Sequence, residues 1–299
     1  MKQNWVSLFG SVDLSNDEIA LIPVPPPPTT PDATPIVPHA FVRSNIEFEQ
    51  GIISLEVNLP DPDSRCHIGI PVTKGGELFA GLNNLGAPYG FAIWRNSQWE
   101  PVASSGHGGR IEANCWHKMA LSVKGSTLDL YVDEVKVASA TQQIQKGPIS
   151  LMLQSTARIV ARNIKIETKT PQCFVVMQFS EEYNALYREV IRPTCEAFGY
   201  EVIRADDTYT SGLIINDITR SIQDASIVIA DITPDNPNVF YEVGFAHGIG
   251  KTTILLSDKK RDKLPFDVSA FRTLFYDNTI AGKTEVEARL NKHLESIGA

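Results

Sequence analysis

Several signals that would place a protein in a membrane, at a metal ion or in an oxidising compartment are missing from this 299-residue sequence. No apolar run reaches the roughly 18 residues that a membrane-spanning helix requires, so we expect no membrane partner. The four cysteines, Cys66, Cys115, Cys173 and Cys195, include no CxxC pair, so we expect no metal site. Because the cysteines are scattered and no signal-peptide pattern opens the chain, we expect reduced thiols and a cytoplasmic location.

An excess of basic residues is also missing. The sequence has 27 Lys and Arg residues against 35 Asp and Glu residues, which gives a net charge of −8. Such a protein has little with which to displace the counterions of a nucleic-acid backbone, so we expect no binding of that backbone. What remains is an ordinary globular composition, with 42% apolar and 21% charged residues, at a length that suits two domains.

The first part of the chain has the period of β-strands. Apolar and β-branched residues alternate or cluster in short segments that Gly, Pro, Asn and Asp separate, at 52–59, 91–96, 118–125, 127–140, 149–155 and 158–168. With no amphipathic helix between them, these segments predict an antiparallel β-sandwich over residues 1–170. We interpret the proline-rich residues 23–38 as an extended surface loop; a ligand for a proline-recognition domain is the alternative.

One segment of this sandwich carries a more specific pattern. A Trp-His pair beginning at Trp116 opens a strand, and a Tyr-Val-Asp run from Tyr131 to Asp133 precedes a hairpin turn. In this respect residues 40–168 resemble the laminin-G and concanavalin-A-like sandwiches, and the resemblance implies a glycan or a protein as ligand. Glu134 stands where that family usually has glycine. We interpret Trp116 and Tyr131 themselves as core and hairpin residues.

The second part of the chain alternates strands with helices. Continuous or short apolar runs predict strands at 173–179, 200–206, 226–232, 252–258 and 272–277, and helical patterns are expected at 181–198, 214–225, 238–250 and 284–297. Right-handed crossovers then give a five-stranded parallel, doubly wound sheet of flavodoxin-like order over residues 171–299. The change of period sets the domain boundary near residues 169–172.

Ligands of such sheets bind beyond the carboxyl ends of the strands. The loops at those ends contain Met177, Gln178 and Phe179 after the first strand, Arg204, Asp206, Asp207 and Ser211 after the second, and Asp231, Asn236 and Asn238 after the third. We predict that these residues bind the substrate. The sequence has neither a GxGxxG motif nor a phosphate-binding P-loop, which excludes a usual dinucleotide fold and a P-loop ATPase.

The helix predicted after the third strand is apolar or small nearly all round. Asn236 is its expected N-cap, and Pro237 suits its first position. Glu242 then lies about one turn into an apolar helix, where a carboxylate is costly unless it is partnered or useful. We predict a catalytic carboxylate, and a structural glutamate bonded to the backbone or to Arg204 is the alternative. His247 falls on a different face and is interpreted as a core histidine.

These residues carry a resemblance to a known superfamily. The segments 174–179, 204–207 and 229–233, together with the Asn-Pro-Asn…Glu…Gly-Lys block at 236–251, resemble the nucleoside 2-deoxyribosyltransferase-like superfamily, most of all its branch near bacterial TIR-like domains. The resemblance implies that Glu242 attacks the anomeric carbon of a nucleoside and that Asp231 orients the substrate.

The acidic residue that precedes this glutamate in the transferases has no clear match. The loop offers Asp235, Asn236 and Asn238, so hydrolysis fits as well as transfer. The resemblance therefore implies an enzyme, either an N-glycosidase or a glycosyltransferase. Its substrate is a nucleoside, a nucleotide or NAD; no cofactor is required, and NAD enters only as a substrate. An NAD-depleting effector in antiphage defence fits this description. The alternative is a non-catalytic nucleotide-binding signalling module.

We also predict a homo-oligomer. The loop at 259–263 is charged and expected to be solvated, so no segment is an obvious lid for the site. A neighbouring subunit could close it, and the related transferases and TIR-like domains work as assemblies. A monomer closed by its own sandwich is the alternative.

Overall fold

The computed structural model describes residues 3–15, 17–24, 37–73, 75–205, 214–261 and 263–297. These residues form two units. The first comprises residues 1–123 and 127–169, and the second comprises residues 124–126 and 170–299. No helix in the described ranges is both long enough and apolar enough to cross a membrane.

Two antiparallel sheets make up the first unit. One sheet has the order β1-β4-β13-β6-β7-β8-β9, and the other has the order β12-β11-β10-β5-β14-β3-β2. Their strands are β1 (Trp5–Phe9), β2 (Val12–Asp13), β3 (Ile19–Leu21), β4 (His39–Phe48), β5 (Gly51–Asn58), β6 (Arg65–Pro71), β7 (Glu77–Asn84), β8 (Ala87–Arg95), β9 (Gln98–Ser105), β10 (Trp116–Lys124), β11 (Thr127–Val132), β12 (Val135–Thr141), β13 (Gly147–Gln154) and β14 (Ile159–Thr168). The predicted antiparallel β-sandwich is confirmed.

Side-chain alternation explains why the two sheets pack face to face. In β5, Ile53, Leu55 and Val57 are buried, whereas the residues between them are half-exposed. Since successive strand residues point to opposite faces, each sheet offers one apolar face, and the two faces form a single core. The same alternation in β10 buries His117 and turns Trp116 outward, so the interpretation of Trp116 as a core residue is wrong.

The β-rich segment 127–140 forms the hairpin that was predicted after the Tyr-Val-Asp run. β11 and β12 pair with each other around Asp133 and Glu134, which both have positive φ angles, 48° and 70°. Asp133 holds the turn in place, because its carboxylate accepts a hydrogen bond from the Lys118 amide (2.8 Å) and lies 3.1 Å from His117 Nδ1. The hairpin turn therefore forms with Glu134 at the position where the resembled family usually has glycine.

Replacing Glu134 with glycine is expected to stabilise the protein by roughly 0.5–1 kcal/mol. A left-handed conformation strains an L-residue but not glycine, and part of that gain is offset by the greater freedom of glycine in the unfolded chain. The exposed Glu134–Lys118 ion pair that is lost contributes little. Thermal or denaturant unfolding of the full chain measures the change, and a lower stability of the Glu134→Gly variant would contradict it.

Five parallel strands form the sheet of the second unit. They are β15 (Gln172–Val176), β16 (Glu201–Arg204), β17 (Ile227–Asp231), β18 (Thr253–Asp258) and β19 (Thr273–Tyr276), in the order β16-β15-β17-β18-β19. Numbered from the first strand of this unit, the order is 2-1-3-4-5, so the predicted flavodoxin-like sheet is confirmed.

Helices cover both faces of this sheet. The helical segments are α1 (Glu181–Leu186), a π-helical turn (Tyr187–Ile191), α2 (Arg192–Ala197), α3 (Ile214–Asp224), α4 (Pro237–Gly248), α5 (Phe266–Ser269) and α6 (Ile280–Ser296). The residues of α1, the π-turn, α2 and α6 pack in one core cluster, and those of α3, α4 and α5 pack in the other. This arrangement leaves the strands buried on both faces, as their continuous apolar runs predicted.

The helices lie within about four residues of the predicted bounds, except that the short helix α5 was not predicted, and two of the differences have a clear local cause. The helix predicted at 181–198 is interrupted by the π-turn directly before Pro193, whose missing amide hydrogen cannot continue an α-helical ladder. The last helix begins at residue 280 rather than 284, because Thr279 caps it by accepting a hydrogen bond from the Gly282 amide (3.1 Å).

Candidate active site at the carboxyl edge of the parallel sheet

The loops after β15 and β17 are in direct contact. Met177 is buried in the core cluster that contains Tyr187 and Val190, Gln178 is half-buried and Phe179 is exposed. The side-chain amide of Asn236 donates a hydrogen bond to Gln178 Oε1 at 3.3 Å. Because parallel strands bring their carboxyl ends to one edge, two of the predicted binding residues from separate loops meet there.

Arg204 ends β16 and is buried rather than open to the edge. Its Nη1 atom donates to Asn184 Oδ1 (2.9 Å), and its guanidinium lies over the rings of Tyr187 (4.2 Å) and Phe179 (5.2 Å). A guanidinium stacked in this way holds an aromatic ring in one orientation. Arg204 therefore positions Phe179, and its predicted contact with substrate stays a prediction. The predicted residues Asp206, Asp207 and Ser211 lie outside the described residues.

Asp231 ends β17 and has no exposed surface. One carboxylate oxygen accepts a hydrogen bond from the Thr233 amide (3.0 Å), and the other accepts one from the Tyr276 hydroxyl (2.9 Å). Burial raises the pKa of the Asp231 carboxyl to about 7, although both hydrogen bonds act in the opposite direction. Asp231 thus ties the loop after β17 to the last strand of the sheet.

The loop after β18 also holds the loop after β17 in place. Arg261 donates hydrogen bonds to the Ile232 carbonyl and to the Asp235 carboxylate, and its guanidinium lies 5.7 Å from the centre of the Phe240 ring. Only 10% of the Arg261 side chain is exposed. The prediction that loop 259–263 is simply solvated is therefore wrong for Arg261, since a guanidinium can bind a carboxylate, a carbonyl and an aromatic face at once.

Helix α4 begins as predicted. Asn236 is its N-cap, with its side-chain oxygen accepting a hydrogen bond from the Asn238 amide (2.9 Å), and Pro237 is the first helical residue. Val239, Val243 and Ala246 form the buried face of the helix. The capping contact fixes the Asn236 side chain and orients the start of α4 at the carboxyl edge of the sheet.

Glu242 lies at the border of that buried face. At 100° per residue it stands about 60° from Val239 around the helix axis, which leaves it half-buried. Its carboxylate has no hydrogen bond or ion pair with any residue that the structure describes, so it is bonded neither to the described backbone nor to Arg204. Burial raises its pKa to about 7. His247 stands on the opposite border and stacks on Phe271 at 3.9 Å.

This arrangement combines rigid support with one unpartnered carboxylate. Hydrogen bonds and the Arg261 contacts fix the loop that leads into α4, whereas Glu242 keeps both oxygens available. A carboxylate with a pKa near 7 can act as a base or a nucleophile at neutral pH. Within the described ranges, no group of three or more His, Cys, Asp and Glu side chains is arranged to hold a metal ion.

Sequence reasoning missed the residues that support the site. Tyr276 and Arg261 come from parts of the chain remote from Glu242, and no local motif marks either of them. A cavity of about 430 Å³ on the same unit, lined by Leu186, Glu189 and Lys283 among others, contains none of the predicted site residues. Tyr276, the hydrogen-bond partner of Asp231, also lines this cavity, and the ion pair between Lys283 and Glu189 spans 2.9 Å there.

Three of the solved structures that are similar to the chain are given below, and none of the three reaches 25% identity. No protein-family model matches the sequence. No curated protein sequence matches it either. Among solved structures, carbohydrate-binding module CBM66 from Bacillus subtilis is 13% identical, with 54% of this chain and 92% of that chain covered and a TM-score of 0.43. A Bacillus subtilis protein of unknown function with a galectin-like fold is 11% identical, with 54% and 87% covered and a TM-score of 0.39. The β-glucanase of Bacillus licheniformis is 15% identical, with 55% and 92% covered and a TM-score of 0.36. At these identities and TM-scores the likeness carries no argument about ligand or activity.

Proposed function

We propose that the second unit breaks an N-glycosidic bond of a nucleotide-like substrate, with Glu242 as the catalytic carboxylate. The observation that carries the proposal is the half-buried Glu242 carboxylate without a partner among the described residues, at the helix that follows the third strand of a doubly wound sheet. Sheets of this kind bind ligands at that edge, and a desolvated free carboxylate is a group that catalysis uses.

The chemistry follows from the charge that develops on the sugar. When the bond between the anomeric carbon and the base nitrogen breaks, the base takes the bonding electrons and the sugar becomes an oxocarbenium-like cation. The Glu242 carboxylate stabilises the cation, or bonds to the anomeric carbon until water attacks that carbon, frees the carboxylate and gives one proton to the freed carboxylate or to solvent. The apolar surroundings of α4 strengthen the attraction, because they exclude the screening effect of water.

The identity of the leaving group decides how much further help is required. A neutral base needs a proton as it leaves, but the nicotinamide of NAD is a cationic pyridinium that becomes neutral when it takes the bonding electrons. Asp235, the only carboxylate in the loop before Glu242, is engaged by Arg261. We therefore place NAD first among the substrates, ahead of deoxynucleosides.

The remaining residues position the substrate. Gln178 and Asn236 are hydrogen-bonded to each other and present amide groups at the carboxyl edge of the sheet. Asn238 is exposed near the start of the same helix. In this proposal Asp231 acts through Thr233 and Tyr276, as a positioning residue for the loop. The sandwich serves sensing, targeting or self-association, and depletion of NAD in antiphage defence is one setting in which such an enzyme would act.

The test is incubation of the full chain with NAD, nucleotides and deoxynucleosides, followed by chromatography for released base, with calorimetric binding measured in parallel. The proposal predicts release of nicotinamide from NAD. Saturable binding of the same compounds without any released base would instead establish a nucleotide-binding module. If the chain neither binds nor cleaves any of these compounds, the proposed site is wrong.

The rate of base release is expected to rise with pH through about 7 and to level off above it. The carboxylate acts in its ionised form, and burial raises the pKa of Glu242 to about 7, so protonation below that value removes the active form. The pH profile of kcat/KM, which reports the pKa of the free enzyme, measures this rise of the rate with pH. A rate that is constant between about pH 5 and pH 8 would contradict a catalytic carboxylate with this pKa.

The active protein is expected to be a homo-oligomer. In the described residues the sheets of the sandwich end in the strands β1, β9, β12 and β2, and edge strands of this kind offer backbone groups for pairing with another copy. Light scattering across a dilution series, with specific activity measured in the same samples, tests the expectation. A monomeric mass at full specific activity would rule it out.

A further inference from the structure

One cysteine of the first unit lies beside a histidine and a carboxylate. Cys115 directly precedes β10, and its sulfur is 3.3 Å from Nε2 of His117, two residues further along the chain. The other ring nitrogen, His117 Nδ1, lies 3.1 Å from the Asp133 carboxylate. A nucleophile, a base and a carboxylate that orients the base are therefore in contact in that order. This arrangement activates a thiol or a hydroxyl for attack.

The local structure holds the imidazole in place. Strand alternation turns His117 inward, where only 8% of the residue is exposed, and turns Trp116 outward. One Asp133 carboxylate oxygen accepts a hydrogen bond from the Lys118 amide at 2.8 Å, which leaves the other to face His117. Asp133 is therefore a positioning residue for the imidazole, and the sulfur of Cys115 lies at the opposite side of that ring.

The contacts of His117 accommodate a second ring proton. Nδ1 faces the Asp133 carboxylate, and Nε2 lies 2.7 Å from the carbonyl oxygen of Glu112. Both partners are hydrogen-bond acceptors, whereas a neutral imidazole has only one N–H to donate. An imidazolium donates to both acceptors at once, and the adjacent Cys115 thiol is a source of its second proton.

Proton transfer within the pair avoids the cost of ionising the thiol alone. Burial and the carboxylates of Glu112 and Asp133 raise the pKa of the Cys115 thiol, so loss of its proton to water is disfavoured. Transfer of the proton to His117 leaves the net charge of the pair unchanged, and the thiolate then lies beside a cation. The thiolate is the form of cysteine that attacks a disulfide.

Access to solvent separates Cys115 from the other cysteines. The structure describes all four residues, and all four are free thiols. Cys66, Cys173 and Cys195 are fully buried, with 0% of each residue exposed, whereas Cys115 is only half-buried. A reagent in solution is therefore expected to meet Cys115 first.

We propose that Cys115 is a modification site that forms a mixed disulfide with a low-molecular-weight aliphatic disulfide. His117 takes the thiol proton, and the Cys115 sulfur attacks one sulfur of the reagent. The S–S bond of the reagent breaks as the new S–S bond forms, and the departing sulfur takes the bonding electrons and the proton from His117. Cys115 is oxidised and the departing half is reduced to a thiol, so no other oxidant is required. The site belongs to the first unit and does not depend on the activity of the second.

The test is reaction of the native full chain with cystamine, followed by mass spectrometry of the intact protein and of its peptides. One half of a cystamine molecule is expected to be added per chain, at Cys115, and a reducing agent is expected to remove it. His117→Asn removes the base. It is therefore expected to lower the second-order rate constant at pH 7 by at least about tenfold.

The pH profile of this rate constant separates a base from a merely structural histidine. A thiol that ionises alone loses about tenfold in thiolate for each pH unit below its pKa of about 8.5. In the wild type the imidazolium keeps the thiolate present at lower pH, so the rate is expected to change little between about pH 6 and pH 8. In His117→Asn the rate is expected to fall with each pH unit, as it does for an isolated thiol.

His107→Asn is the matched control, because it makes the same change at an exposed histidine of the same unit, 3.0 Å from the Ser104 hydroxyl. This variant is expected to react as the wild type does, and unchanged unfolding midpoints show that the variants are folded. The proposal is overturned if native Cys115 is not labelled, if a buried cysteine is labelled first, or if His117→Asn reacts at the wild-type rate. An equal loss of rate in the control would also overturn it. If His117→Asn does not fold, the wild-type profile decides: a rate that falls tenfold per pH unit would contradict the proposal.

Discussion

Replacing Glu242 with glutamine is expected to lower the rate of base release by at least about 1000-fold while the fold is retained. Glutamine keeps the volume of the side chain but removes the negative charge that the oxocarbenium-like state requires. Loss of a catalytic nucleophile typically costs several orders of magnitude in kcat. Since Glu242 has no hydrogen bond with any described residue, the substitution breaks no recorded contact, and binding of the substrate is expected to change far less than kcat.

The matched control is Glu287→Gln, which makes the same chemical change at an exposed position of α6. Both variants are compared with the wild type by initial rates of base release and by the unfolding midpoint of the full chain. Undiminished turnover in a well-folded Glu242→Gln variant would remove this residue from the mechanism. A similar loss of base release in the Glu287→Gln control would show that any removal of a negative charge has this effect, and that Glu242 has no special role.

Replacing Asp231 with alanine is expected to destabilise the second unit by on the order of 3 kcal/mol. The change leaves the Thr233 amide and the Tyr276 hydroxyl without their acceptor at a site with no exposed surface. Each unsatisfied buried donor costs about 1–3 kcal/mol. Calorimetric unfolding of the full chain measures this, and an unchanged transition in Asp231→Ala would show that the contacts contribute nothing.

The same carboxyl predicts how stability depends on pH. Its pKa in the folded protein, about 7, lies above the ordinary value of 3.8, so the folded state binds more protons between these values than the unfolded state does. This contribution to stability is complete below about pH 4 and is lost as the pH rises to about 7. Asp231→Asn is expected to reduce that slope. Glu242 contributes in the same direction, so Glu242→Gln is the control that separates the two groups.

Much of the architecture could be predicted because local patterns determine it. The alternation in β5 and the continuous apolar run of β15 reflect strands buried on one face and on both faces. Other strands were not predicted. Residues 77–84 of β7 contain glycine and asparagine and bury every residue from Leu78 to Leu82, so no clean alternation is visible in the sequence.

The candidate site was predictable only where the chemistry lies on one element. Asn236 and Glu242 sit on the same short helix, and a carboxylate in an apolar helix is an unusual local signal. The contacts of Tyr276 and Arg261 join segments that are 45 and 26 residues from their partners, and they form only when the sheet assembles.

The most direct measurement is a time course of NAD in the presence of the full chain at about pH 8, with nicotinamide and ADP-ribose quantified by NMR or chromatography. Cleavage of the N-glycosidic bond predicts that NAD is consumed while nicotinamide and ADP-ribose appear in equal amounts, at a rate proportional to the protein and absent in Glu242→Gln. NAD that remains intact, together with deoxynucleosides that release no base under the same conditions, would contradict the assignment of the second unit as an N-glycosidase.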